Sequence, residues 1–123
     1  MKNSFAVVLG GAIGATLRAV VGTILNGSPL STFIVNIVGS IILGFFYQYN
    51  HSNNRFSEPA KKMIVTGMIG SFTTFSTYSL DLLVYIKDGQ FIKMGLYGGG
   101  TIVSGILSVF LGVLLAKRTR KVT

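Results

Sequence analysis

The sequence predicts an all-α membrane protein of four transmembrane helices, the third broken near its middle. Three observations carry this. Half of the 123 residues are hydrophobic, while charged residues make up 11%; a soluble domain spreads charge over roughly a quarter of its residues. The apolar residues fall into four runs of membrane length, parted by short polar connections. The third run is interrupted by Gly70-Ser71-Phe72-Thr73-Thr74-Phe75-Ser76-Thr77-Tyr78-Ser79, in which seven of the nine residues from Ser71 carry a hydroxyl.

The first span is expected over residues 4–25, the second over 30–49, the third over 62–86 with its break at 70–76, and the fourth over 91–116. Each is near the ~20 residues that cross a hydrocarbon core. Together they make one transmembrane domain, 1–123. Asn26-Gly27-Ser28-Pro29, the polar run 50–61 and Lys87-Asp88-Gly89-Gln90 connect them, each with turn or breaker residues. Pro59 suits the start of the third span. Lys2 and the apolar run from Phe5 could serve a cleaved leader, but Arg18 interrupts that run and apolar character resumes beyond it, which argues against cleavage.

The net charge of +8 is read as a membrane pattern because the basic residues lie at the ends of apolar runs. Four spans put both termini and the second connection on one side. That side holds Lys2, Arg55, Lys61, Lys62, Lys117, Arg118, Arg120 and Lys121; the other holds Lys87 and Lys93, with Arg18 if it reaches that way. The bias predicts cytoplasmic termini, and the lack of a targeting segment fits a bacterial inner (cell) membrane. Gly10 with Gly14, Ser40 with Gly44, and Thr101 with Gly105 are spaced to let helices approach closely. Four short spans enclose little volume, so association is expected.

The polar groups inside the spans are the candidate site. One or two hydroxyls in a span usually bond their own helix; seven exceed that need. Broken helix at membrane depth is tolerated only inside protein or beside a polar cavity. Phe75 and Tyr78 share a helical face, either as lipid-facing or core aromatics or as ring edges turned to an anion. Asn36 is a lone amide in the run Thr32-Phe33-Ile34-Val35-Asn36-Ile37-Val38-Gly39, fit for an interhelical hydrogen bond or for a ligand. Arg18 either snorkels to the interface or lends positive charge to a vestibule. Asp81, one turn past the hydroxyls, is free to cap, to pair with a basic residue or to face water. His51 is expected to be solvated.

Enzyme chemistry is not indicated. The chain has no cysteine, no G-x-S-x-G, no H-E-x-x-H and no P-loop; Gly98-Gly99-Gly100 lies in an apolar span without a following Lys.

These motifs resemble the small fluoride channels of the Fluc or CrcB family over nearly the whole chain. Gly10-Gly11-Ala12-Ile13-Gly14-Ala15-Thr16-Leu17-Arg18 is similar to the family's G-G-x-x-G-A-x-x-R. The run from Thr32 to Gly44 is similar to T-x-x-x-N-x-x-G-x-x-x-x-G, and that from Gly67 to Asp81 to G-x-x-G-G-x-T-T-F-S-T-F-S-x-E. Ser71, Tyr78 and Asp81 depart from the third pattern, and Gly105 stands where the fourth span often has serine. The resemblance implies an antiparallel dimer with passive fluoride pores and a structural, untransported sodium ion at its centre, held by the backbone carbonyls of Gly70 and Thr73. It implies a fluoride path along Asn36, Phe75, Tyr78, Ser76, Thr77, Tyr97 and Thr101, with Arg18 near the vestibule.

The function so implied is passive release of cytoplasmic fluoride, which lowers its toxicity. The charge bias adds a second expectation. One sequence inserting both ways favours weak bias, so this chain is expected to insert one way and pair with a similar partner chain of opposite orientation; a homodimer is the alternative. Two rivals stand beside the channel. A small multidrug transporter subunit needs a carboxylate in its first span, and none is there. A non-transporting membrane assembly protein leaves the hydroxyl cluster unexplained.

Overall fold

A computed structural model describes residues 2–53 and 56–122, with the side chains of 52, 53 and 120–122 left aside. Arg55 of the charge count lies outside the described residues, as do the side chains of Arg120 and Lys121. The elements are α1 (Lys2–Ile24), α2 (Pro29–Asn53), α3 (Glu58–Lys61), a π-helix (Lys62–Ile69), α4 (Gly70–Phe72), α5 (Ser76–Lys87) and α6 (Phe91–Val122). No strand occurs among the described residues.

Among the described residues, three helices are long and apolar enough to cross a membrane: Lys2–Ile24, Pro29–His51 and Phe91–Thr119. The segment expected to be the third span is divided into α3, the π-helix, α4 and α5. Its longest α-helical piece, the 12-residue α5, reaches only ~18 Å at 1.5 Å per residue. The interruption falls at Thr73–Phe75, inside the expected window, and Thr73 is extended (φ −79°, ψ 157°).

Turn chemistry separates the helices. After α1, Asn26 and Gly27 take positive φ (59° and 63°), and the Gly27 amide bonds back to the Gly22 carbonyl at 2.7 Å. This six-residue closure satisfies a carbonyl the ended helix leaves open. Pro29 then opens α2, where its missing N–H costs nothing. Ser57 caps α3, and Pro59 sits in its first turn.

Helix α2 packs along α6, and α1 packs along the π-helix and α4. Glycine makes both seams possible. A Cβ on Gly10 would run into the Met63 carbonyl, and one on Gly14 into the Met68 carbonyl. In the other seam, a Cβ on Gly44 would strike the Val109 carbonyl, and one on Gly112 the Ile41 carbonyl. The closest approach in α6 is therefore at Gly112; at Gly105 a Cβ would meet only the Ser40 Oγ at 3.9 Å. The backbone spacing around these seams depends on which turns face each other, which the spacing of small residues alone does not specify.

The interior is thin. Val35 is the one large side chain below 2% exposure among the described residues, while Ile92, Leu96, Leu107, Phe110 and Leu114 are all more than 60% exposed. Such a surface needs lipid or another apolar chain against it.

Candidate functional site

The break is made by side chains. Thr73 ends α4 by directing both its amide and its hydroxyl at the Ile69 carbonyl, at 3.1 and 3.0 Å. The next amide, that of Thr74, does not turn back to Gly70. It donates to the Asn36 Oδ1 at 2.8 Å, while the Asn36 Nδ2 donates to the Thr74 carbonyl at 2.9 Å. This two-point clamp orients the amide unambiguously, because each half of it faces its complement. The Thr77 amide is likewise diverted, to the Thr74 hydroxyl at 3.2 Å rather than to the Thr73 carbonyl. The carbonyls of Gly70 and Thr73 thus both lose the amide that an α-helix would supply four residues on.

Most of the hydroxyl cluster serves this local construction. Ser71 donates to the Met68 carbonyl at 3.3 Å, and Ser79 to the Phe75 carbonyl at 2.9 Å. Thr74 and Ser76 share a hydrogen bond at 3.3 Å. Tyr78 donates across to the Gly98 carbonyl in α6 at 2.7 Å. Among the described residues, Thr77 alone of these seven has no such bond from its hydroxyl, and it lines a cavity.

Two cavities flank Thr74. The first, about 280 Å³, is lined by Asn36, Ser40, Thr73, Thr74, Phe75, Tyr78 and Thr101 together with Gly39, Leu43, Ile69 and Ile102. The Thr101 hydroxyl is buried there and has no hydrogen-bond partner among the described residues. An unpaired hydroxyl in a low-dielectric cavity is costly unless something else occupies it. Phe75 stands 77% exposed at the mouth, its ring 5.6 Å from that of the buried Tyr78. The second cavity, about 230 Å³, is lined by Arg18, Gly27, Ser31, Thr32, Thr74 and Thr77, with Ala15, Ala19, Gly22 and Val35. Arg18 therefore faces the far side of the same break.

The structure thus brings Asn36, Phe75, Tyr78 and Thr101 to one cavity, and Arg18 and Thr77 to the other. Ser76 is exposed beside Thr74, and Tyr97 lines neither cavity. Tyr97 instead lies behind Tyr78, the two rings tilted with centroids 5.5 Å apart, and its hydroxyl donates to the Asp81 Oδ2 at 2.8 Å. The partner of Asp81 is therefore a phenol, and neither a basic residue nor a helix terminus. From the sequence Ser40 is expected only to pack, and Thr32 has no expected role. Both are polar positions one turn from Asn36 on α2, a spacing that could have marked them.

No group of three or more His, Cys, Asp or Glu suited to a metal occurs among the described residues. A cation at this break would have to be met by neutral oxygen. Neither cavity lining contains a carboxylate, and the donors present are amide, hydroxyl and guanidinium groups.

Residues 5–113 match the family described as "CrcB-like protein, Camphor Resistance (CrcB)". The chain is 40% identical to a protein of Oceanobacillus iheyensis named "Fluoride-specific ion channel FluC", over 98% of this chain and 96% of that one. Proteins of the same name from Aquifex aeolicus and Chlorobium phaeobacteroides are 37% and 38% identical, over 92% and 95% of this chain and 95% and 98% of theirs.

Proposed function

The chain belongs to the CrcB-like family, a family of ion channels and not of enzymes, and from that premise we propose that it is a subunit of a fluoride-selective channel through which cytoplasmic fluoride leaves passively. The observation that carries this is the cavity at the break. Asn36, the unpartnered Thr101 hydroxyl and the exposed Phe75 meet there without a fixed negative charge. A small, strongly hydrated anion needs its water replaced by positive poles of N–H, O–H and ring C–H. None of these groups carries a full charge, so the ion is not held too tightly to leave. Arg18 on the other side of Thr74 raises the local concentration of anions at the approach.

In this reading the segment from Glu58 to Lys87 is the third of four crossings, in a multi-pass cell-membrane protein with cytoplasmic termini. Backbone broken at membrane depth must be covered by protein; with Phe75 77% exposed in the single chain, that cover would be completed by a partner. The carbonyls of Gly70 and Thr73, left without helical donors by Asn36 and Thr74, fit a hard monovalent cation such as sodium. Such an ion would supply positive charge to compensate the carbonyls that the break leaves without helical donors. One chain offers two oxygens, so the remainder would come from a partner. That partner is a similar chain of opposite orientation, in keeping with the charge bias and the exposed mouth at Phe75. The multidrug-transporter alternative finds no support, since α1 has no acidic residue.

The test is fluoride efflux from liposomes read with a fluoride electrode. The expected result is fluoride release with chloride retained, lost on Asn36→Asp, which puts a negative charge in the cavity. Protein that releases no fluoride with any similar partner chain, or that releases chloride equally, rejects the channel. The pairing is tested separately: full efflux from the chain purified alone would sink the opposite-partner arrangement.

A further inference from the structure

The first cavity holds more polar side chains than donors left to give. Tyr78 spends its hydroxyl on the Gly98 carbonyl, and Thr73 spends its own on the Ile69 carbonyl. The Thr74 hydroxyl is shared between Ser76 and the Thr77 amide. Asn36 has its oxygen and one N–H engaged by the backbone of Thr74, which leaves a single N–H to give. The buried Thr101 hydroxyl is unpartnered among the described residues. Ser40, half-buried in the same wall, completes the set.

A serine inside a helix ordinarily turns its hydroxyl back on a carbonyl three or four residues before it. Thr16, Thr23, Ser79 and Ser108 all do so, at 2.6 to 2.9 Å. Among the described residues Ser40 makes no such bond, and it lines the cavity instead. It faces an opening in the seam. Helices α2 and α6 press together at Gly44 and Gly112, but a Cβ on Gly105 would stop 3.9 Å from the Ser40 Oγ and meet nothing else within 4 Å. Gly105 lies one turn beyond Thr101 on α6, as Ser40 lies one turn beyond Asn36 on α2. Ser40 is therefore ~6 Å along α2 from the clamped amide, at 1.5 Å per residue. It stands across from the α6 face that carries Thr101.

We propose that Ser40 is an anion-binding residue of the channel, its hydroxyl joining that of Thr101 and the remaining Asn36 N–H in replacing the water around a fluoride ion in this cavity. The proposal rests on the channel reading and adds to it a donor from α2 beyond the amide. A hydroxyl rotates about its Cβ–Oγ bond, so each can turn its proton to the ion and release it as the ion moves on. A water bridging the two helices through Ser40 would only hold the seam, and the two roles are separable.

The parent protein and its variants, each in the assembly in which it purifies with a partner chain, are reconstituted in liposomes. The initial rate of fluoride release is measured against internal fluoride concentration. Ser40→Ala is expected to raise the half-saturating concentration about tenfold, the scale of one hydrogen bond to a charged group, with the unfolding transition in denaturing detergent little moved. Ser108→Ala removes a buried hydroxyl already spent on its own helix and is expected to leave half-saturation unchanged. Gly105→Ser added to Ser40→Ala returns a hydroxyl to the same gap from the opposite helix and is expected to recover most of the loss. Equal damage from Ser108→Ala overturns the proposal. So does a loss in Ser40→Ala that comes with an earlier unfolding transition and is not recovered by Gly105→Ser, which is the behaviour of a packing residue. Parent protein that releases no fluoride with any partner removes the channel reading and this inference with it. Normal release that saturates alike in the parent and in Ser40→Ala removes this inference alone.

Discussion

Where α2 meets α6, two unbroken helices approach until their backbones nearly touch. At Thr73–Phe75 the chain does the reverse: the helix stops, backbone groups are released, and side chains from elsewhere take them up. The first region relies on the absence of side chains at Gly44 and Gly112. The second relies on their presence at Asn36 and Thr74. In lipid, apolar burial does little to drive helices together, so close packing must hold the frame. A site for a polar ion cannot be made of such packing, because every backbone group there is already satisfied. The break supplies what the seam withholds.

The largest loss is expected at the seam. Gly112→Val places a branched side chain against the Ile41 carbonyl and the Phe45 amide. The expected cost is about 3 kcal/mol, the upper end of what overpacking exacts. Helicity followed during titration into a denaturing detergent measures it. Gly105→Ala is the control, since its Cβ finds room beside Ser40, and its transition should move little. Equal sensitivity at both glycines would mean that α2 and α6 do not meet as described.

At the break, Asn36→Leu keeps the volume but strands the amide and carbonyl of Thr74. About 2 kcal/mol of stability should go, within the range for leaving buried polar groups unpaired. Fluoride efflux is expected to fall below detection while the protein still reconstitutes. The contrast with Gly112→Val lies in the ratio of the two readouts: function falls far more than stability at Asn36, and both fall together at Gly112. Tyr97→Phe should cost less, about 1 kcal/mol for one hydrogen bond, since it removes only the phenol donor to Asp81. The same unfolding titration reads that change.

The two regions also differ in how far the sequence discloses them. Three of the long apolar helices are legible because lipid demands unbroken apolar runs. The place of the interruption is legible too, because Gly70 and the hydroxyls after it are poor company for a lipid-facing helix. How the interruption is held is not. Asn36 lies 38 residues from Thr74 in the chain, and nothing local to either residue announces the other. The π-helix from Lys62 to Ile69 escapes for a different reason. Its ladder shifts by a single residue, and no residue type in Lys-Met-Ile-Val-Thr-Gly-Met-Ile demands that. Gly112 is not marked in the sequence, because a small residue becomes a contact only when a particular neighbour faces it. Asp81 found Tyr97 through the geometry of two helices, a pairing its charge alone does not prefer.

The smallest expected effects separate hydroxyls that build the break from those that merely sit in it. Seven hydroxyls in nine residues look like one feature, yet their bonds divide them. Ser79 donates to the Phe75 carbonyl, which already accepts from the Ser79 amide at 2.9 Å. Its hydroxyl is therefore redundant to the helix, and Ser79→Ala should change stability by less than about 0.5 kcal/mol. Thr74 has no such redundancy, because its oxygen receives the Thr77 amide in the first turn of α5. That is the work of an N-cap, and Thr74→Ala should cost about 1 kcal/mol. Thermal unfolding of the two variants side by side decides the matter. If they shift equally, the cluster acts as a uniform polar patch, and the division between framing and filling hydroxyls fails. If Thr74 alone moves, the break is a capped helix start that frees the Thr73 carbonyl as a consequence, since the amide that would have reached it is the one Thr74 holds.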